Sequence, residues 1–149
     1  MMIKQRIEED LKKAMLAGDR PLVEVLRGLK SAILYEEVSE GVRDAGLSND
    51  KVVALLQKEA KKRQDSADLY DRGGSPERQE KELAEKAIIQ NYLPEQMSDD
   101  EILNLVDEAV LVVGNDVKNM GQIIGVVKQK TAGRADGAVI ARLVKSRLS

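Results

Sequence analysis

Apolar residues recur along this chain every three to four positions, and polar/apolar alternation is sustained nowhere. Ile3, Ile7, Leu11 and Met15 mark one face of a first helix, with Gly18 as its stop. Pro21 suits a first helical turn, where its missing N–H costs nothing. Leu22, Val25, Leu26, Leu29 and Ile33 then form the inward stripe of a second helix, which fades near Glu40-Gly41. After a loop over 41–48, Ser48 can cap a third helix carrying Val52, Val53, Leu56 and Ala60. That helix is expected to reach Tyr70 and end at Gly73-Gly74. Ser75-Pro76 opens a fourth through cap and N1 chemistry, with Leu83, Ala84, Ala87, Ile88 and Tyr92 as its apolar face.

Leu93-Pro94-Glu95-Gln96 interrupts the pattern, because Pro94 disfavours helical geometry at Leu93 and donates no backbone bond. A domain boundary is expected here. Ser98-Asp99-Asp100-Glu101 reads as a capping box for a fifth helix with Ile102, Val106, Ala109, Val110 and Val113 inward, closed by Gly114. Val117, Met120, Ile124 and Val127 give a sixth, which Gly133 can close in a left-handed cap. Asp136 can cap a seventh, bearing Val139, Ile140, Leu143, Val144 and Leu148. The expected fold is all-α: an N-terminal four-helix unit over residues 1–94, then a compact three-helix unit over 95–149.

Composition narrows the chemistry. With three Tyr and neither Phe nor Trp, the core must be aliphatic. Absent Cys removes disulfides and thiolate metal sites, and absent His removes the commonest general base and zinc ligand. No run approaches the roughly 18 apolar residues of a membrane span, and the N-terminus lacks an apolar signal core, so a cytoplasmic address with no membrane partner is expected.

A net charge of −2 hides segregation. Seven acids and no base lie between Glu95 and Asp116, whereas seven bases and one acid follow from Val117 onward. Such a basic stretch can neutralise phosphates, or it can pair with the acidic fifth helix. On the third helix, Lys58, Lys61 and Lys62 share a face, Glu59 and Arg63 are spaced as an i, i+4 pair, and Arg27 and Lys30 of the second helix can lie alongside.

Motifs for catalysis are missing. The eight serines have no His to activate them, and Lys30 and Ser31, as helix neighbours, point about 100° apart. Glu36/Glu37 and Asp99/Asp100 are expected to be surface or first-turn residues. Gly121 and Gly125 form a G-x-x-x-G spacing, read as close approach of another helix. Ala132-Gly133-Arg134-Ala135-Asp136-Gly137 reads as a helix stop followed by a helix start. Its free N–H groups and Arg134 could receive a phosphate oxygen, although Asp136 as cap competes for the same donors. No catalytic residue, metal or cofactor is expected.

Five segments occur in this order in YqeY-like proteins: Leu26-Arg27-Gly28-Leu29-Lys30-Ser31-Ala32; Gln57-Lys58-Glu59 with Lys62-Arg63-Gln64-Asp65-Ser66; Tyr92-Leu93-Pro94-Glu95-Gln96; Met120-Gly121; and Gly133-Arg134-Ala135-Asp136-Gly137. The chain resembles that family over almost its whole length. The family is similar to the C-terminal tail of the B subunit of the glutamine-dependent tRNA amidotransferase. The resemblance implies a helical N-terminal bundle joined to a three-helix unit, and contact with tRNA or a tRNA-dependent enzyme. The ATP- and metal-binding cradle of that enzyme has no counterpart in these residues. An accessory tRNA-binding module is therefore expected, with Arg27, Lys30, Lys58, Lys62, Arg63, Lys128, Arg134 and Lys145 neutralising phosphates. The alternatives are a helical protein–protein adaptor, and carbon–nitrogen ligase activity with glutamine as amido donor within a larger amidotransferase.

Overall fold

The computed structural model describes residues 2–149. Seven α-helices carry the chain, and no strand forms among the described residues: α1 (Ile3–Ala17), α2 (Arg20–Ser39), α3 (Asn49–Arg72), α4 (Pro76–Gln90), α5 (Asp99–Val113), α6 (Met120–Thr131) and α7 (Gly137–Ser146). They gather as two compact units, α1 to α4 as far as Leu93 and α5 to α7 within Pro94–Ser149.

In the first unit, Ile7, Leu26, Ile33, Val52, Leu56 and Ile89 are fully buried. Burying a side chain of this size stabilises by roughly 1.5–3 kcal/mol. α1 ends on Gly18 at φ +69°, and the next residue, Asp19, donates its N–H back to Ala14 O, closing the helix in a left-handed turn. Ser48 accepts from Lys51 N and so caps α3.

Three expectations fail here for separate reasons. Met15 is exposed, and Ala14 takes the inward position, because the α1 face drifts at its last turn. Ser75 makes no side-chain cap bond, so α4 opens on Pro76 alone. The α4 face is also rotated from the one expected. Ile89 is fully buried, whereas Leu83, Ala84 and Ala87 are exposed, because the inner side of α4 presents Glu82, Glu85 and Lys86 to α3. The apolar core takes α3 only as far as Ala60 and α4 only from Ile88.

The second unit packs Ile102, Val106 and Ala109 of α5 against Ile123 and Val127 of α6 and Ile140, Leu143 and Val144 of α7. Both halves of the Ser98–Glu101 capping box are present. Asp136 caps α7 by accepting from Ala138 N at 3.0 Å. Val117 lies in a short 3-10 turn, Val117–Asn119, and is exposed, so α6 proper begins at Met120. The close-approach reading of Gly121 and Gly125 is overturned. Both glycines are exposed, and a Cβ on either would meet nothing within 4 Å.

Candidate nucleic-acid interface

The local geometry sorts the basic residues by whether a carboxylate already holds them. On α3, Lys58 and Lys62 are exposed and one turn apart, with Lys61 between them also exposed. Lys62 Nζ is 3.3 Å from Glu59 Oε1, so Glu59 pairs with Lys62 instead of the expected Arg63. Arg63 turns inward, with its Nε 3.0 Å from Glu85 Oε2 and 3.9 Å from Glu82 Oε2 of α4. On α2, Arg27 and Lys30 are exposed and paired with no described carboxylate. Arg27 lines an open groove with Met15, Gly18, Arg20, Val23 and Glu24.

In the second unit, acidic α5 takes three of the seven bases. Lys130 pairs with Glu108 at 3.7 Å, Arg142 with Asp99 at 3.1 Å and Arg147 with Asp107 at 3.0 Å. These bridges are solvent-exposed and each contributes about 0–1 kcal/mol. Lys118, Lys128, Arg134 and Lys145 make no ion pair with a described residue.

The turn between α6 and α7 gathers two of these unpaired cations. Ala132 and Gly133 are both left-handed, at φ +48° and +83°, which reverses the chain within a few residues. Arg134 is clamped from both sides: its Nε donates to Glu95 O at 3.0 Å, and its carbonyl accepts from Met97 N at 2.7 Å. The Lys128 side chain folds over the first residue of α7. A Cβ on Gly137 would stand 3.1 Å from Lys128 Cε and 3.4 Å from its Nζ. Gly137 therefore leaves room for an ammonium beside the positive end of a helix, a place that favours an added anion. Asp136 already occupies one N–H there, so an anion would have to come in from the Lys128 side. Lys145 stands apart on the last turn of α7.

Two buried polar clusters escape a reading of the sequence, and both hold helices in place. Glu37 is fully buried, contrary to the surface role expected for Glu36/Glu37. It accepts from Lys4 Nζ at 2.9 Å and from Leu47 N at 2.7 Å, pinning α1 and the loop before α3 to α2. The Lys4 hydrogen bond, the Leu47 N–H and the Lys4 charge outweigh desolvation and hold the Glu37 carboxyl below its ordinary 4.5. Tyr92 is the second cluster. Its hydroxyl donates to Asp10 Oδ2 at 2.6 Å, and the Arg6 guanidinium lies 5.1 Å from its ring centroid. Burial, and then the Asp10 carboxylate, push the phenol well above its usual range.

Among the described residues, no group of three or more His, Cys, Asp or Glu side chains gathers to hold a metal ion. No helix among them is long and apolar enough to cross a membrane.

The molecule is thus an all-α protein of two helical units whose exposed basic side chains are partly paired and partly free. The chain belongs to the YqeY-like protein family, whose family model matches residues 4–148. It is also similar to the B subunit of the aspartyl/glutamyl-tRNA(Asn/Gln) amidotransferase of Gloeobacter violaceus, with 34% identity over 82 residues. That alignment covers 55% of this chain and 15% of the relative, so the chain matches a small part of a much longer protein.

Proposed function

We propose that the chain is an accessory module that binds tRNA, or a tRNA-bearing enzyme, through phosphate contacts and without catalysis of its own. The observation that carries this reading is the partition of charge in the second unit. α5 neutralises Lys130, Arg142 and Arg147, while Lys128, beside the first turn of α7, and Arg134, in the turn that precedes it, make no ion pair with a described residue. Lys145, Lys58 and Lys62 extend the set, whereas Arg63 is committed to α4 and contributes least. With few aromatic residues for stacking, recognition would rest on the shape and backbone of folded RNA.

The likeness to the amidotransferase B subunit supports a tRNA-handling role in the cytoplasm, as a counterpart of that protein's tail. Amide-forming ligase chemistry within a larger assembly is a weaker reading, since the sequence has no His or Cys and no group of acidic side chains suited to a metal gathers among the described residues. The test is purified tRNA titrated at low and high salt against wild type, Arg134→Glu and Lys128→Glu. Each lost phosphate contact is expected to lower affinity and to reduce the salt slope by about 1. Binding indifferent to salt and to both substitutions, or no binding, would end the proposal.

A further inference from the structure

We propose that the outer face of the α1–α2 hairpin docks an acidic amphipathic helix of a partner protein. The groove at one end of this face is lined by Met15, Gly18, Arg20, Val23, Glu24 and Arg27. On an ideal helix, Arg20, Val23, Arg27, Leu34 and Val38 fall within an arc of roughly 60°. The stripe therefore runs the length of α2, its centre about 130° around the helix from the centre of the buried face, with Val23 at its edge packed partly against the core. Met15 is 52% exposed, Leu34 45% and Val38 58%, so apolar side chains reach solvent at both ends of the stripe. Between and beside them stand Arg20, Arg27 and Lys30, three cations against the single carboxylate of Glu24, and none makes an ion pair with a described residue.

The mixture decides the occupant. A phosphate backbone would be held by the cations but would gain nothing from covering Met15, Leu34 and Val38. A helix with apolar residues on its outer turns and carboxylates between them matches both features. It would dry the branched side chains and the adaptable thioether and set acids against the free arginines. A second copy of this chain fits less well, since a two-fold pairing would bring the cation-rich stripe against itself. This surface takes Arg27 and Lys30 for a protein partner, and it stands or falls independently of RNA binding by the second unit.

The probe is a labelled synthetic helix of about four turns, with Leu on its outer turns and Glu between, titrated against the full chain by fluorescence anisotropy. Its twin carries Lys in place of every Glu. The acidic peptide is expected to bind at least about tenfold tighter than its twin. Arg27→Glu should weaken the acidic peptide and strengthen the twin. Leu34→Ser with Val38→Ser should weaken both, and unchanged thermal melts will verify that these exposed sites leave the fold intact. Equal binding of the two peptides, binding of neither, or indifference to Arg27→Glu overturns the proposal. Loss of tRNA binding in Arg27→Glu, with tRNA displacing the peptide, would assign the stripe to phosphate instead. A dimer in sedimentation that dissolves on Val38→Ser would assign it to a second copy, and either result overturns the proposal.

Discussion

The Tyr92 hydroxyl donates to Asp10 across 82 residues of sequence, tying the end of α4 to the middle of α1. The tyrosine of the Tyr92-Leu93-Pro94 segment thus acts as an anchor, with its ring buried and its polar end paired. Tyr92→Phe keeps the ring and removes the donor. Urea unfolding should show a loss of about 1 kcal/mol, the usual net worth of such a bond. Because the folded phenol titrates well above its ordinary range, its NMR signal should stay in the protonated position through the ordinary tyrosine range for as long as the fold persists.

Glu37 predicts a pH dependence. Its folded pKa lies below the ordinary 4.5, so the unfolded chain binds the proton more readily. The stabilisation is present above that ordinary value and is lost as pH falls through the folded one. Glu37→Gln should lower the melting temperature at neutral pH, and the gap to wild type should narrow in acid. Glu37→Leu leaves the Leu47 N–H and Lys4 without their acceptor and should cost about 2–3 kcal/mol by chemical denaturation. A gap that is constant across pH would contradict the ion-pair account.

Ala132 is the one non-glycine described residue at positive φ, held at +48° where α6 stops. A left-handed residue with a Cβ carries about 1–2 kcal/mol of steric cost. Ala132→Gly should therefore raise stability by about 1 kcal/mol, partly offset by the freedom Gly gains when unfolded. Thermal denaturation measures the sum, and a destabilised variant would mean that the Ala132 methyl is needed for packing.

Bridges from α5 should restrain RNA binding. Replacing Asp99 and Asp107 by Asn and Glu108 by Gln releases Arg142, Arg147 and Lys130. If the basic side of this unit meets phosphates, tRNA affinity should rise with a steeper salt dependence, while stability changes by at most about 1 kcal/mol per bridge. Filter binding across a salt series reads both quantities.

The signals legible in the sequence are local ones. Gly18, Ser48, Ser98 and Asp136 act on backbone groups within a few residues of themselves, so the helix ends they set follow from short stretches of chain. The all-α class follows from periodicity in the same way. What stays hidden depends on distant partners. The Glu36-Glu37 pair looks like any solvated helix face until Lys4 and Leu47 arrive from 33 and 10 residues away. The phase of α4 is hidden because its inner side is charged, matched to Arg63 and Gln64 instead of to an apolar stripe. In the basic last third, only the course of α5 separates Lys128 and Arg134 from the cations it neutralises.

That charged seam between α3 and α4 sets where the first unit opens. Beyond Ala60 and ahead of Ile88, the contacts between the two helices include Arg63 with Glu85 and Glu82, Gln64 with Lys86, the Arg78 guanidinium 5.9 Å from the Tyr70 ring centroid, and the buried Ala67. Charged contacts of this kind add less stability than aliphatic packing, and salt weakens the more exposed of them. The outer turns of this helix pair should be the first to unzip, exchanging amide hydrogens while the aliphatic centre stays closed. A partner gripping those turns would meet a pliable handle attached to a rigid base.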